Sequence, residues 1–122
     1  GGGDDFEGGE HTEVGLIMCA LESIDKYSTN LIPCDNVTFV VEVTVTPRED
    51  CDPDSWDLNV TLQGNDCEEP NDKVRCETLD DGSKRVTSFL EPSNSVTSPY
   101  IDVRSVRENV QFEYDVKIVV RE

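Results

Sequence analysis

Four aspartates stand close together in the first half of the chain, separated by single residues or short gaps. Aspartates that alternate with other residues present carboxylate oxygens on one side of a tight turn, and Ca²⁺ prefers such ligands. The stretch departs from the EF-hand pattern, because the sixth and twelfth positions from the first aspartate are Ser55 and Thr61 instead of glycine and glutamate. The spacing indicates either a looser calcium loop or a solvated acidic loop. The four candidates are Asp50, Asp52, Asp54 and Asp57.

The aspartates belong to a wider acidic stretch. Residues 49–72 include no basic residue, and the whole chain carries 27 acidic against 10 basic residues, a net charge of −17. This excess disfavours contacts with nucleic-acid phosphates and with anionic membrane surfaces. It favours a cationic partner, either a metal ion or a basic protein, or else serves solubility alone. The candidate acidic binding residues are Glu49, Asp50, Asp52, Asp54, Asp57, Asp66, Glu68, Glu69 and Asp72.

Residues for catalysis are sparse. The single histidine, His11, lies in a glycine-rich start, so a serine or cysteine nucleophile has no evident general base. The sequence also has no nucleophile elbow, zinc-protease motif or phosphate-binding glycine loop. We therefore expect a protein that is not an enzyme and needs no cofactor, with calcium as the one candidate ion.

Five cysteines and two glycosylation motifs indicate the compartment. None of the cysteines forms a CxxC pair, which disfavours zinc and thioredoxin-like sites and favours disulfides in an oxidising environment. Asn36 and Asn59 each begin an Asn-x-Thr sequon. The chain opens on glycines instead of a signal peptide, as expected of a product whose leader has been removed. These features predict a secreted or extracellular-surface glycoprotein.

The odd number of cysteines leaves one unpaired or bonded to a second chain. Cys51 with Cys67 is the favoured pair, because the two bracket one predicted strand. Cys19 is the predicted unpaired cysteine, since it lies in an apolar run and would pack as a small hydrophobic side chain. The disulfide candidates are Cys34, Cys51, Cys67 and Cys76.

Alternating apolar and polar residues predict strands along most of the chain. Residues 14–25 fit either a helix or a strand, and the strand is favoured because the downstream segments are all β. An Asp81-Gly82 step between two strand-like runs predicts a hairpin. Residues 1–13 are expected to form a flexible acidic leader, and 14–122 a single domain. The remaining predicted strands are 36–46, 56–63, 73–79, 84–90, 100–106 and 110–121.

About seven strands predict an all-β fold, an antiparallel two-sheet β-sandwich that is immunoglobulin-like in architecture. The Cys…Trp…Cys spacing of a true immunoglobulin domain is absent. The two acidic stretches flank the strand that starts at Trp56, so we expect them at its opposite ends, about 25 Å apart. A Cys51–Cys67 bond would require these loops to fold back.

These features lead to two functional hypotheses. The first is a non-enzymatic binding domain that engages a protein partner through an acidic face, for example a decoy for a basic cytokine or chemokine. The alternative is a calcium-dependent adhesive or structural module built on the 50–57 loop. No apolar run reaches the roughly 18 residues that a membrane span needs, so no membrane insertion is expected. The sequence leaves the ligand, the oligomeric state and the bonding of the odd cysteine open.

Overall fold

The computed structural model describes residues 13–14, 20–24, 29–32, 38–93, 95, 97–106 and 113–121. Within these ranges the chain forms strands and one short 3₁₀ turn. The strands are β1 (Glu13–Val14), β2 (Ala20–Ile24), β3 (Thr29–Ile32), β4 (Phe39–Pro47), β5 (Trp56–Thr61), β6 (Val74–Thr78), β7 (Lys84–Leu90), β8 (Tyr100–Ser105) and β9 (Tyr114–Arg121), with the 3₁₀ turn at Pro53–Ser55.

The central strand of the main sheet is β4. It is rich in β-branched residues, and every second side chain from Phe39 to Val45 is buried. It pairs antiparallel with β7 on one side and with β9 on the other. The full order is β1-β9-β4-β7-β6, in which only the β1–β9 pair is parallel. The most apolar strand therefore lies where both of its edges are hydrogen-bonded.

A second, antiparallel sheet consists of β5 and β8, and β2 pairs with β3 separately. The apolar face of β5, with Trp56, Leu58 and Val60, belongs to the same buried cluster as the inward residues of β4, β7 and β9. Burying an aliphatic or aromatic side chain stabilises a fold by about 1.5–3 kcal/mol. The protein is thus all-β, with one core formed jointly by the five-stranded sheet and the β5–β8 sheet.

The strand predictions are confirmed for the described residues. The hairpin forms between β6 and β7, and its turn uses Gly82 at φ +88°, a conformation that glycine adopts without strain. Asp81 fixes this turn by accepting a hydrogen bond from the Ser83 backbone N–H (2.9 Å). The described part has nine strands instead of about seven, because β3 was not expected and β1 is a strand separate from β2.

Several predicted features lie wholly or partly outside the described residues. These are most of the leader (1–13), parts of the 14–25 and 110–121 segments, the sequon at Asn36, and the cysteines Cys19 and Cys34. Within the 14–25 segment, Ala20–Ile24 is a strand, as favoured.

Candidate functional site

An acidic depression lies between the loop that follows β4 and the turn that joins β6 to β7. It is formed by residues 47–53 and 80–82, and we call it the acidic concavity. The pairing of Val45 with Lys84 brings the end of β4 beside the hairpin turn. Among the described residues, five carboxylates and a single cation, Arg48, line the depression. The carboxylates belong to Glu49, Asp50, Asp52, Asp80 and Asp81.

Arg48 does little to neutralise the acidic concavity, because its guanidinium group is bound by Asp115 of β9 and by Glu113, which immediately precedes β9. Nη2 and Nε of Arg48 donate to Asp115 Oδ1 at 2.7 and 3.0 Å, and Nη1 donates to Glu113 at 3.3 Å. The hydrogen bonds and charge of Asp115 raise the pKa of Arg48, with a smaller contribution from Glu113. The charges of the five lining carboxylates therefore remain largely uncompensated.

The loop has its own internal hydrogen bonds. Asp52 Oδ1 accepts from the Asp54 backbone N–H (3.0 Å), and the Asp52 carbonyl accepts from the Ser55 N–H (2.9 Å). Pro53 begins the 3₁₀ turn, where its fixed φ is compatible with the backbone. Asp50 and Asp52 both line the acidic concavity, whereas Asp57 lies on β5 beside Lys84 (3.6 Å).

Of the four aspartates of the calcium hypothesis, two therefore lie at the acidic concavity, Asp57 lies beside Lys84, and Asp54 is exposed in the 3₁₀ turn. Among the described residues, no group of three or more His, Cys, Asp or Glu side chains is arranged to hold a metal ion. A calcium site would require the loop to rearrange, or ligands from the rest of the chain.

The second acidic stretch does not lie at the far end of β5, contrary to our expectation. A tight turn with Gln63 (φ 50°) and Gly64 (φ 79°) reverses the chain, closed by reciprocal backbone bonds between Leu62 and Asn65 (3.0 Å each). The loop then runs back along β5, where the Cys67 N–H donates to Asn59 Oδ1 (2.9 Å). The length of β5 therefore does not set the distance between the two acidic stretches.

Neighbouring groups engage part of the charge of this second loop. Glu68 forms an ion pair with Arg104 of β8 (3.1 Å). Asp66 accepts hydrogen bonds from the N–H groups of Glu68 and Glu69 (2.9 and 3.1 Å). Glu69 and Asp72 are exposed. The loop is therefore less strongly acidic than its sequence indicates, and of the two acidic stretches the one at the acidic concavity keeps the larger excess of negative charge.

The preference for a Cys51–Cys67 disulfide is wrong. Cys67 bonds to Cys76 of β6, with a Cα–Cα distance of 6.0 Å, and Cys51 is a free, half-buried thiol. The Cys51 sulfur instead lies 3.4 Å from the Ser55 hydroxyl. The reason is the chain reversal at Gln63–Gly64, which carries Cys67 to the edge of the main sheet.

Two residues of the acidic concavity were missed as binding candidates. Neither Asp80 nor Asp81 is among the candidates identified from the sequence, although they contribute two of the five carboxylates of the acidic concavity. They reach the acidic concavity because β4 pairs antiparallel with β7, which places the end of β4 next to the hairpin turn, and no local sequence signal indicates that pairing.

Asn59 faces away from the core, as the alternation of β5 predicts. Its side-chain oxygen is bonded to the returning loop, and the residue is half-buried. The amide nitrogen that would carry a glycan therefore lies close to that loop.

No protein-family model matches the chain, and no curated protein or solved structure shows significant similarity to it. None of the described residues belongs to a helix with the length and apolarity needed to cross a membrane.

Proposed function

We propose that this protein is a non-enzymatic binding domain that engages a basic protein partner at the acidic concavity. The observation that carries the proposal is the local charge: five carboxylates line one depression, and the one cation that the described residues contribute to it is held by Asp115. Like charges held close together repel, so a partner that places Lys or Arg among them gains more than it would on a mixed surface.

The overall charge supports the same partner chemistry. A net charge of −17 creates a field that attracts cationic proteins and accelerates their association. A decoy for a basic cytokine or chemokine is the form of this function that we favour. The chain has a single histidine, His11, so the sequence offers no evident general base for a catalytic alternative.

We further propose that the domain is an immunoglobulin-like β-sandwich that works outside the cell. The shared core of the two sheets supports the sandwich, and the Cys67–Cys76 bond is compatible with an oxidising compartment. Expression through a secretory pathway, followed by intact-mass measurement before and after deglycosylation, tests the compartment and the sequons at Asn36 and Asn59. An unmodified protein with reduced Cys67 and Cys76 would contradict the proposal.

The binding proposal is tested with a panel of basic cytokines and chemokines. The site variant combines Glu49→Gln, Asp50→Asn and Asp80→Asn, and it keeps Asp52 and Asp81 because both fix the backbone of their turns. The matched control combines Asp4→Asn, Asp5→Asn and Glu7→Gln, which removes the same charge from the first residues of the chain. We expect at least one panel member to bind, and the site variant to weaken that binding far more than the control.

Salt supplies the second readout. The Debye length falls from about 30 Å at 0.01 M to about 8 Å at 0.15 M salt, so binding through the acidic concavity should weaken over this range. Equal losses in the two variants would mean that only net charge matters. Binding that is indifferent to salt, or no binding across the panel, would overturn the proposal.

A further inference from the structure

The strand β6 forms one edge of the five-stranded sheet. The Phe89 N–H donates to the Lys73 carbonyl (3.0 Å), and the Leu79 N–H donates to the Ser83 carbonyl (2.7 Å). In an antiparallel ladder such bonded pairs alternate, so Arg75 and Glu77 make the remaining bonds to β7. The backbone groups of the residues between them, Val74, Cys76 and Thr78, therefore point away from the sheet.

This outer edge of β6 is accessible. Cys76 and Thr78 are both exposed, and within the described residues neither makes a backbone hydrogen bond on that side. The Val74 N–H donates to the Asn71 carbonyl (3.4 Å), so this N–H is not available to an added strand. An open edge of this kind is a template for one more strand.

A depression flanks the edge on each face of the sheet. On the inner face, Thr78 and Lys84 line a cleft against Leu58 of β5, closed on one side by the Cys67–Cys76 bond. On the outer face, Arg75 and Phe89 line a more apolar depression, with Phe89 37% exposed. Side chains of a strand alternate between two faces, so an added strand needs room on both sides of the edge.

Acidic residues stand at both ends of β6. Glu69 and Asp72 precede the strand, and Asp80 and Asp81 follow it, all four of them exposed. The basic side chains along β6 and its neighbour are already engaged, since Arg85 and Arg75 both contact Glu77 (3.2 and 3.5 Å). Five residues of strand span about 17 Å. The edge therefore favours a short extended segment that carries cations at its two ends.

We propose that the edge of β6 binds an extended segment of a basic protein as an added strand, with Lys or Arg at each end of the segment. This inference rests on the proposed function and specifies how the partner is held. The Asp80–Asp81 end of the edge borders the acidic concavity, so the two features form one continuous surface. A second copy of this chain is disfavoured as the occupant, because it would place the same carboxylates opposite one another.

The test uses the end-blocked peptide KKTVTVTKK as a probe. One comparison peptide is N-methylated on its five central residues, which keeps its charge and removes its strand hydrogen bonds. A second, EETVTVTEE, reverses the end charges. The protein variants are Thr78→Pro, which removes one N–H from the open edge and leaves the β6–β7 bonds intact, and Thr78→Val, which keeps that N–H.

We expect KKTVTVTKK to bind the native protein and to slow deuterium exchange at the Cys76 and Thr78 amides. Its affinity should fall roughly tenfold in Thr78→Pro and at least as much on N-methylation, the effect of losing one or more net hydrogen bonds. Thr78→Val, which keeps the N–H and the shape of the side chain, should lose much less affinity than Thr78→Pro does. N-methylation tests the same contact on the unaltered protein, should Thr78→Pro fold poorly.

The remaining outcomes overturn the inference in distinguishable ways. If the N-methylated peptide binds as well as KKTVTVTKK, the edge is not used, and electrostatic binding at the acidic concavity stands alone. If EETVTVTEE binds equally well, charge plays no part and the proposed function fails with the inference. Absence of peptide binding overturns only the inference. A concentration-dependent dimer that Thr78→Pro abolishes would identify a second copy as the occupant.

Discussion

The ammonium group of Lys84 lies 2.6 Å from the carbonyl oxygen of Trp56 and 4.9 Å from the centre of its ring. Lys84 starts β7 on the inward face of the main sheet, two residues before the buried Val86, and its side chain is only 14% exposed. Trp56 starts β5 in the other sheet and is fully buried. Through a hydrogen bond, an aromatic contact and the ion pair with Asp57 (3.6 Å), this cation therefore joins the two sheets at the rim of the core.

We predict that Lys84→Met lowers the free energy of unfolding by about 1–3 kcal/mol, from the loss of a charged hydrogen bond and a cation–π contact. Urea unfolding followed by fluorescence measures this, since Trp56 is the chain's only tryptophan. The matched control is Lys117→Met on the exposed face of β9, which should change stability by less than about 0.5 kcal/mol. Equal effects of the two substitutions would mean that Lys84 does not join the sheets.

The disulfide assignment predicts a specific labelling pattern. Alkylation of the unfolded, unreduced protein followed by peptide mapping should label Cys51, whereas Cys67 and Cys76 should become labelled only after reduction. Double replacement of Cys67 and Cys76 by alanine should lower the free energy of unfolding by about 2–3 kcal/mol, as expected for a loop of this length. Cys51→Ser is the control and should cost less than about 1 kcal/mol. A Cys51–Cys67 peptide in the unreduced map would contradict the assignment.

A pH-dependent contribution to stability is expected at Glu91. The hydrogen bond from the Lys73 ammonium, and the charge of that group, lower the pKa of the Glu91 carboxyl. A carboxyl with a lowered folded-state pKa stabilises the fold above its unfolded pKa, and this contribution disappears as the pH falls through the folded-state value. Between about pH 6 and pH 3, the urea concentration at the unfolding midpoint should therefore fall further for the native protein than for Glu91→Gln.

The control for this experiment is Glu69→Gln, which removes the same charge from an exposed residue that forms no ion pair within the described chain. It should follow the native protein over the same pH range. Parallel curves for Glu91→Gln and the native protein would show that the Lys73–Glu91 pair contributes nothing measurable.

Calcium binding is tested by thermal melting with calcium and with a chelator. Because Asp52 is bonded within its own turn and Asp57 lies apart at Lys84, we expect no increase in melting temperature. A bound ion at one hundred times its dissociation constant would add about 2.7 kcal/mol and raise the melting point by several degrees. Such a rise would favour the calcium-dependent module over the basic-partner proposal.

The alternation of apolar residues was sufficient to predict β4 and the buried face of β5, because a strand with one buried face has period two. It also accounts for the inward position of Lys84, which shares the parity of Val86. The Asp-Gly step similarly predicted the β6–β7 turn. These are local signals, and local signals determine single elements.

The acidic concavity and the disulfide depend on relations between distant segments. Asp80 and Asp50 line the same depression only because β4 pairs with β7 in a particular register. Cys67 meets Cys76 only because residues 63 and 64 adopt positive φ, and a glutamine in that conformation has no distinctive sequence signal. Composition indicated an acidic protein, but which carboxylates gather in one place follows from the pairing of strands.

The central position of β4 has a consequence for how the chain acquires its structure. Val43 pairs with Val86 on one side and with Ile118 on the other, and both partners come much later in the sequence. During synthesis at about 5–20 residues per second, β4 must therefore remain unpaired for several seconds after it emerges. This strand is also the most β-branched and apolar segment, the kind most prone to aggregate while exposed. The acidic charge of the segments that emerge soon after it would help to keep nascent chains apart until β7 and β9 arrive.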